Sequence, residues 1–176
     1  MKINKLLPLA ALLTITSCSK EKENETVSSE TSNDQLTAYL SEEKPAESTQ
    51  ISELRENAKP GDEVTFTGKV IGSHNVFMDG RAIMIMGDPT KLTSCDLHPG
   101  DNCASPWDTC CDDPDVIKQN IVTVQIVDES GTPLKSSIKG LGNLKELSTA
   151  TVTGTVTEQS NAENMLINAA SIYIEQ

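Results

Sequence analysis

Five segments of the chain have the hydrophobic pattern of β-strands, and some of them alternate apolar and polar residues, as strands that bury one face do. In residues 64–71 the alternation places Val64, Phe66 and Val70 on the same face. Residues 81–88 are more uniformly apolar, and this predicts a strand that is covered on both faces. The predicted strands are residues 64–71, 81–88, 121–127, 149–157 and 165–174.

Two short helices are predicted beside these strands. Apolar residues at helical spacing predict one helix within residues 49–58, before the first strand. A second helix is predicted at residues 141–147, between the third and fourth strands. The sequence therefore predicts an all-β domain with one or two short helices.

The order of these elements resembles that of the OB-fold, a small five-stranded Greek-key barrel with a helix between its third and fourth strands. Gly68 and Gly154 lie in mid-strand, where strongly coiled barrel strands need such residues. The Thr-Gly-Lys-Val and Thr-Gly-Thr-Val strands, with a late Asn-Ala-x-x-Ile strand, are similar to those of exported bacterial OB-fold domains. The resemblance implies an OB-like barrel over residues 63–174, and a plain five- or six-stranded sandwich is the alternative.

The first residues have the pattern of a bacterial secretory signal. Two lysines precede the apolar run LLPLAALL, which is too short to span a bilayer as a helix. The run leads into Ile-Thr-Ser-Cys, which resembles the lipobox of bacterial lipoproteins. The resemblance implies cleavage of residues 1–17 and lipidation of Cys18. Ser19, directly after the lipidated cysteine, implies by the same resemblance sorting to the outer membrane of a Gram-negative cell. Residues 18–48 are polar and predict a disordered tether, so the domain is expected at residues 49–176.

The chain is acidic, with 14 basic and 26 acidic residues and a formal net charge of −12. Loss of the signal would remove two lysines and leave 12 basic residues against 26 acidic ones, a charge of −14. Such a surface repels phosphate backbones and anionic lipid headgroups, and aromatic residues that could stack on bases are few. The composition therefore argues against nucleic acid as a partner and favours cations or basic partners, although acidity also serves solubility.

The connection at residues 89–120, between the second and third strands, is far longer than a hairpin loop and contains Cys95, Cys103, Cys110 and Cys111. In an oxidising compartment cysteines pair, and two crosslinks would hold such a loop in shape. A bond between the adjacent cysteines would need a strained ring, so each of the two is expected to pair with Cys95 or Cys103. The prediction is a disulfide-stapled loop whose connectivity stays open.

A metal site is the alternative use of the same residues. The four cysteines and His98 offer up to five soft or borderline donors, which suit zinc or copper. Their spacing does not match the paired C-x-x-C pattern of standard zinc sites, and the lack of this motif also disfavours a redox-active pair. Apart from such a metal, no cofactor is expected.

The string Pro-Trp-Asp-x-Cys-Cys around Trp107 is similar to an element of a family of bacterial lipoproteins and exported proteins with spaced cysteines. The family brings no assigned activity, so the resemblance implies only that this element recurs on small β domains. Trp107 is expected to pack against a disulfide, or to act as a binding anchor if it is exposed. His74 and Phe77 lie in the connection between the first two strands, which OB-folds use for ligands.

Catalytic motifs are absent from the sequence, which has no nucleophile elbow, phosphate loop or paired catalytic carboxylates. The sequence therefore predicts a non-enzymatic binding module at the cell envelope, held to the membrane by its lipid. Its expected partner is an envelope protein, a glycan or a cation. The alternative is a zinc- or copper-binding protein that uses the cysteine and histidine side chains of the long connection.

Overall fold

A computed structural model describes residues 35–98, 100 and 103–176. Within these residues, short helices and turns connect the strands of a single sheet. The strands are β1 (Thr49–Gln50), β2 (Glu63–Lys69), β3 (Ile83–Gly87), β4 (Ile121–Gln125), β5 (Thr149–Val156) and β6 (Leu166–Ile174). The helices are α1 (Ile51–Asn57) and α2 (Pro114–Gln119), and 3-10 turns span Cys95–Leu97 and Leu141–Asn143.

The sheet closes into a five-stranded barrel. Neighbouring strands follow the order β2-β3-β4-β6-β5, and β5 pairs back onto β2 over the whole of β2. The pairs around the ring are antiparallel except β4 and β6, which run parallel. The short strand β1 pairs in parallel with β2 outside the ring. Closure excludes the open sandwich and confirms the predicted all-β, OB-fold-like barrel.

The barrel interior is filled by the inward-facing residues of the alternating pattern. All five predicted strands form, each within two residues of its predicted bounds. Phe66 and Val70 of the predicted inner face are 0% exposed. At Gly154, where the register of β5 against β6 shifts, a Cβ atom would lie 2.4 Å from the backbone oxygen of Asn168. Only glycine allows the two strands to approach so closely.

Strand β3 has apolar residues on both faces, as its sequence predicts. Met84 and Met86 point into the barrel and are 0% exposed, so they are core side chains. Ile83 and Ile85 lie on the opposite face and are half-buried. This second apolar face is covered in part by connections that meet over it, and it forms the floor of a cleft.

The barrel also holds part of the segment that the sequence predicts as a tether. Leu36 is 1% exposed and belongs to the core. The backbone nitrogen of Ile172 donates to the oxygen of Tyr39 at 2.7 Å, and Ser41 donates to Ile172 at 2.8 Å. The domain boundary predicted at residue 49 is therefore too late, because a few apolar side chains within a polar stretch attach it to β6.

The N-terminal predictions lie outside the described residues. These are the signal peptide, residues 1–17, the lipidation site Cys18, and the first part of the tether. In the part of the chain that the structure covers, no helix is long and apolar enough to cross a membrane. Lipidation and envelope location therefore stay predictions.

The helices follow the prediction only in part. Helix α1 forms as predicted, whereas the helix predicted at residues 141–147 is only a single 3-10 turn, because Gly142 takes a positive φ of 53° inside it. Helix α2 is absent from the prediction. It begins at Asp113, whose side chain accepts hydrogen bonds from the backbone nitrogens of Asp115 and Val116 at 2.8 and 3.4 Å.

Candidate functional site

The cysteine-rich insertion, residues 89–120, folds back onto the connection between β2 and β3. The indole Nε1 of Trp107 donates to the backbone oxygen of His74 at 2.9 Å, and the backbone oxygen of Trp107 accepts from Gly72 at 3.3 Å. Ser105 Oγ lies 2.6 Å from His74 Nδ1. The Trp107 side chain is half-buried and packs against the core. The insertion is therefore attached to the barrel and forms part of its outer wall.

A buried carboxylate fixes the base of the insertion. Asp88, which directly follows β3, is 0% exposed and accepts from Ser52 N at 2.9 Å, Thr90 N at 2.8 Å and Thr90 Oγ1 at 2.6 Å. Its backbone nitrogen donates to Asn120 at 2.9 Å, so both ends of the insertion meet here. Burial alone would raise the pKa of Asp88, but the hydrogen bonds from Thr90 and Ser52 outweigh it and hold the pKa below its ordinary value.

The four cysteines of the insertion come together, and we name them the thiol cluster: Cys95, Cys103, Cys110 and Cys111. Cys95 N donates to the backbone oxygen of Asp108 at 2.8 Å, which brings the two halves of the insertion side by side. The sulfurs of Cys95 and Cys110 are 3.7 Å apart, and those of Cys95, Cys110 and Cys111 all lie within 4.8 Å of one another. The Cys103 thiol is close enough to that of Cys95 to contribute to the rise in the pKa of Cys95.

The thiol cluster reaches from the interior to the surface. Cys95 is 3% exposed, whereas Cys110 and Cys111 are exposed. Burial, with hydrogen bonds to Cys103 and Cys110, raises the pKa of Cys95 to about 12. Such a thiol is a poor nucleophile at neutral pH. No disulfide bond joins the four cysteines in the described part of the chain, so the predicted pairing stays a prediction.

His98 follows the 3-10 turn that begins at Cys95. Its backbone nitrogen donates to the oxygen of Cys95 at 3.1 Å. Its Nε2 is buried and has no hydrogen-bond partner among the described residues, and the same holds for Oγ1 of Thr109, the neighbour of Cys110. Buried polar atoms without a partner are rare in folded proteins and point to a missing interaction. Thr109 directly precedes Cys110 in the chain, and His98 lies three residues after Cys95.

A cleft of about 540 Å³ lies on the outward face of β3 and β4. Its floor is formed by Ile83 and Ile85 of β3 and Thr123 of β4. Its walls come from the β2–β3 connection, the insertion and the β4–β5 connection. The wall residues with large or polar side chains are His74, Asn75, Phe77, Met78, Asp79, Trp107, Lys139 and Glu146.

The cleft contains an ion pair. Lys139 Nζ lies 2.6 Å from Glu146 Oε1 and 5.9 Å from the centroid of the Phe77 ring. Burial works to raise the pKa of Glu146, but the hydrogen bond and the positive charge of Lys139 outweigh it and leave the pKa below its ordinary value. Glu146 is therefore ionised at neutral pH. The cleft combines apolar surfaces with fixed charges at its edge.

The candidate residues from the sequence fall into two groups in the structure. His74, Phe77 and Trp107 line the cleft together, and the four cysteines form the thiol cluster with His98 close by in the chain. Lys139 and Glu146 were not among the candidates, because a charged pair within a connection leaves no recognisable pattern. His74, Phe77 and Trp107 were the sequence candidates that indicated the cleft, and the apolar outward face of β3 forms its floor.

Ser105 and His74 are as close as a nucleophile and its base. Ser105, however, is only 5% exposed, so its hydroxyl is out of reach of a substrate. The same hydrogen bond joins the insertion to the β2–β3 connection. Its role in the described residues is therefore structural.

Comparison with protein-family models, curated proteins and solved structures gave no match. The functional argument therefore depends on the barrel, the cleft and the thiol cluster themselves. The similarity of the Pro-Trp-Asp-x-Cys-Cys string to exported bacterial proteins stays an expectation from the sequence.

Proposed function

We propose that the protein is a lipid-anchored binding module of the bacterial cell envelope, which holds its ligand in the cleft beside Trp107. One observation carries the proposal. The insertion and the β2–β3 connection meet over the apolar outward face of β3 and leave about 540 Å³ open between them. OB-type barrels bind oligonucleotides and oligosaccharides with this same combination of second and third barrel strands and first connection.

The chemistry of the cleft favours a neutral glycan over a nucleic acid. A formal net charge of −12 repels phosphate backbones. Trp107, Phe77 and Met78 offer apolar surface to one face of a sugar ring. Asp79 and Glu146 offer carboxylate oxygens, which accept hydrogen bonds from hydroxyl groups. A glycan of the envelope presents both kinds of surface at once.

Binding without catalysis is proposed because His74 and Glu146, two titratable residues of the cleft, already have partners. His74 Nδ1 is hydrogen-bonded to Ser105, and Glu146 is paired with Lys139. A general acid or base must be able to exchange a proton with its substrate. These contacts support a rigid binding surface, whose shape depends on the insertion.

The lipid anchor belongs to the same proposal. The Ile-Thr-Ser-Cys string that ends at Cys18 supports lipidation, and Ser19 after it supports attachment to the outer membrane. A module attached there faces the periplasm or the cell surface, and glycans are abundant on both sides. The anchor therefore keeps the cleft near the proposed ligand.

Calorimetric titration with soluble cell-wall oligosaccharides tests the proposal on the full lipoprotein extracted in mild detergent. We expect saturable binding of one oligosaccharide per chain. Trp107→Ala is expected to weaken binding at least tenfold, which corresponds to about 1.4 kcal/mol. Met78→Glu is expected to weaken it as well, and folding should survive this change because the Met78 side chain is 52% exposed.

Val116→Glu is the matched control. Val116 is also exposed, at 39%, but it lies on α2 and does not line the cleft. We expect its affinity to equal that of the wild type. Equal effects of Met78→Glu and Val116→Glu would contradict binding in the cleft. If a basic peptide binds and the oligosaccharide does not, the ligand of the cleft is a protein and the glycan proposal is wrong.

A further inference from the structure

The thiol cluster has the dimensions of a metal centre. In a tetrahedral site with Zn–S bonds of about 2.3 Å, neighbouring sulfurs lie about 3.8 Å apart. The sulfurs of Cys95 and Cys110 are 3.7 Å apart, and Cys111 completes a triangle with no side longer than 4.8 Å. A disulfide needs sulfurs about 2.05 Å apart. Small side-chain rotations would therefore place one ion within bonding distance of three sulfurs.

Two further side chains are candidates for a fourth ligand. Cys103 lies outside the group of three sulfurs that are within 4.8 Å of one another, but its thiol is close enough to Cys95 to affect the pKa of that residue. The alternative is His98, whose Nε2 is buried and without a partner among the described residues, one turn from Cys95. Imidazole nitrogens and thiolates are both ordinary ligands of zinc and of copper(I).

We propose that the thiol cluster binds one d¹⁰ metal ion, zinc(II) or copper(I), through Cys95, Cys110 and Cys111, with Cys103 or His98 as the fourth ligand. Each cysteine that binds the ion releases its proton to solvent, so that thiolates form the metal–sulfur bonds. The metal site is distinct from the cleft, since it involves none of the residues that line the cleft.

The surroundings of the thiol cluster suit a cation. Cys95 holds the cluster from the buried side, and the exposure of Cys110 and Cys111 leaves a path from solvent for the ion. Asp96 and Asp112 lie next to the ligands in the chain, and Asp112 Oδ2 accepts from Thr93 N at 2.8 Å across the base of the insertion. The two carboxylates next to the ligands in the chain add negative charge, of which that of Asp96 is shared with Lys69 at 3.6 Å.

A metal ion at this point would tie together the segments that carry Trp107. This residue lies between Cys103 and Cys110 in the chain, and its indole donates to His74. Removal of the ion should therefore loosen the wall of the cleft. Because the chain has a single tryptophan, its fluorescence reports such a change directly.

Metal analysis of the wild-type lipoprotein, extracted in mild detergent without reductant or chelator, tests the proposal. We expect about one zinc or copper ion per chain and at least three thiols that react after denaturation without reductant. Fewer than three thiols would mean that disulfides form, and would overturn the proposal. Reactive thiols with no stoichiometric metal, even after incubation with zinc and dialysis, would overturn it as well.

Variants assign the ligands. Cys111→Ser changes an exposed side chain, so folding should survive, and we expect its zinc affinity to fall at least tenfold in competition with a chromogenic chelator. Ala104→Ser, which places a serine at another exposed position of the insertion, is the control and should bind as the wild type does. Wild-type affinity in Cys111→Ser would contradict the proposed ligand set.

Cobalt(II) provides a spectroscopic check on the reduced protein. Bound in place of zinc, it should show sulfur-to-metal charge-transfer absorption and the visible bands of tetrahedral coordination. If Cys103→Ser alters these bands, Cys103 is the fourth ligand. If His98→Ala alters them instead, the fourth ligand is His98. Cobalt that binds without charge-transfer absorption would show that thiolates are not its ligands, and would overturn the proposal.

Discussion

Asp88 is a charged residue that is stable in the interior because hydrogen bonds replace its water. Ser52 and Thr90 donate to its two carboxylate oxygens, and its backbone nitrogen contacts the far end of the insertion. An ionised group is costly to bury unless it is fully hydrogen-bonded. The contact therefore favours one path for the chain where the insertion leaves the barrel.

The replacement Asp88→Asn is expected to lower the free energy of unfolding at pH 7 by about 1–3 kcal/mol, because charge-assisted hydrogen bonds are lost in the interior. The folded pKa of Asp88 is below its unfolded value. Its contribution is therefore complete above an unfolded pKa of about 3.9 and is lost as the pH falls through the folded pKa. The difference between variant and wild type should shrink on going from pH 7 to below about 4.

Urea unfolding at pH 7 and pH 3 measures this difference. Glu129→Gln, which removes a carboxylate at an exposed turn position, is the control and should leave stability unchanged at both pH values. A destabilisation by Asp88→Asn that is the same at both values would show that the charge of Asp88 is not the source of its effect.

At the scale of elements, the N-terminal segment is part of the barrel. Leu36 fills a core position, and backbone hydrogen bonds of Tyr39 and Ser41 connect the segment to β6. We expect Leu36→Ala to cost about 2–5 kcal/mol, which is the usual range for a large apolar side chain removed from a core. Thermal and urea unfolding measure the loss.

Gln35→Ala is the control for the same segment, because Gln35 is the exposed neighbour of Leu36. Its stability should stay within about 0.5 kcal/mol of the wild type, as for most surface substitutions. If Leu36→Ala were as stable as Gln35→Ala, the segment would contribute nothing to the folded domain, contrary to its position in the structure.

The sequence predicts those elements whose residues alternate between core and solvent. Barrel strands such as β2 and β5 have this pattern, and β3 is recognised by its uniformly apolar run, so their bounds and the fold class follow from the sequence. Helix α2 has no buried residue, so its sequence lacks the helical spacing of apolar residues. In the sequence, only the N-cap Asp113 followed by Pro114 indicates it. Leu36 and Tyr39 are concealed by the polar composition around them. The sequence predicts that the four cysteines lie close together, because they share one long connection. The distances between their sulfurs could not be predicted, because these depend on how the insertion folds back.

At the scale of the whole molecule, closure of the barrel determines where the cleft and the thiol cluster lie. The order of the strands places β3 next to β4, and three connections meet over their outward face. The insertion contributes Trp107 to this face and holds the thiol cluster in the same stretch of chain. One insertion thus supplies both a wall of the proposed binding cleft and the ligands of the proposed metal site.

The predicted lipid anchor would determine where such a molecule acts. We expect labelled palmitate to be incorporated into the wild-type chain in a Gram-negative host and to be absent from Cys18→Ser, since the lipobox resemblance makes Cys18 the acceptor. Cys111→Ser, which also removes a cysteine but lies outside the lipobox, should be labelled as the wild type is. Labelling of Cys18→Ser would contradict the predicted attachment site.

The fluorescence of Trp107 during titration with soluble cell-wall oligosaccharides tests most directly whether the insertion and the β2–β3 connection form the binding site. The chain has one tryptophan, and it lines the cleft, so the emission comes from the site itself. The account predicts a saturable change in emission with the same midpoint as the heat of binding. Heat of binding without any change in Trp107 emission would place the ligand elsewhere and contradict it.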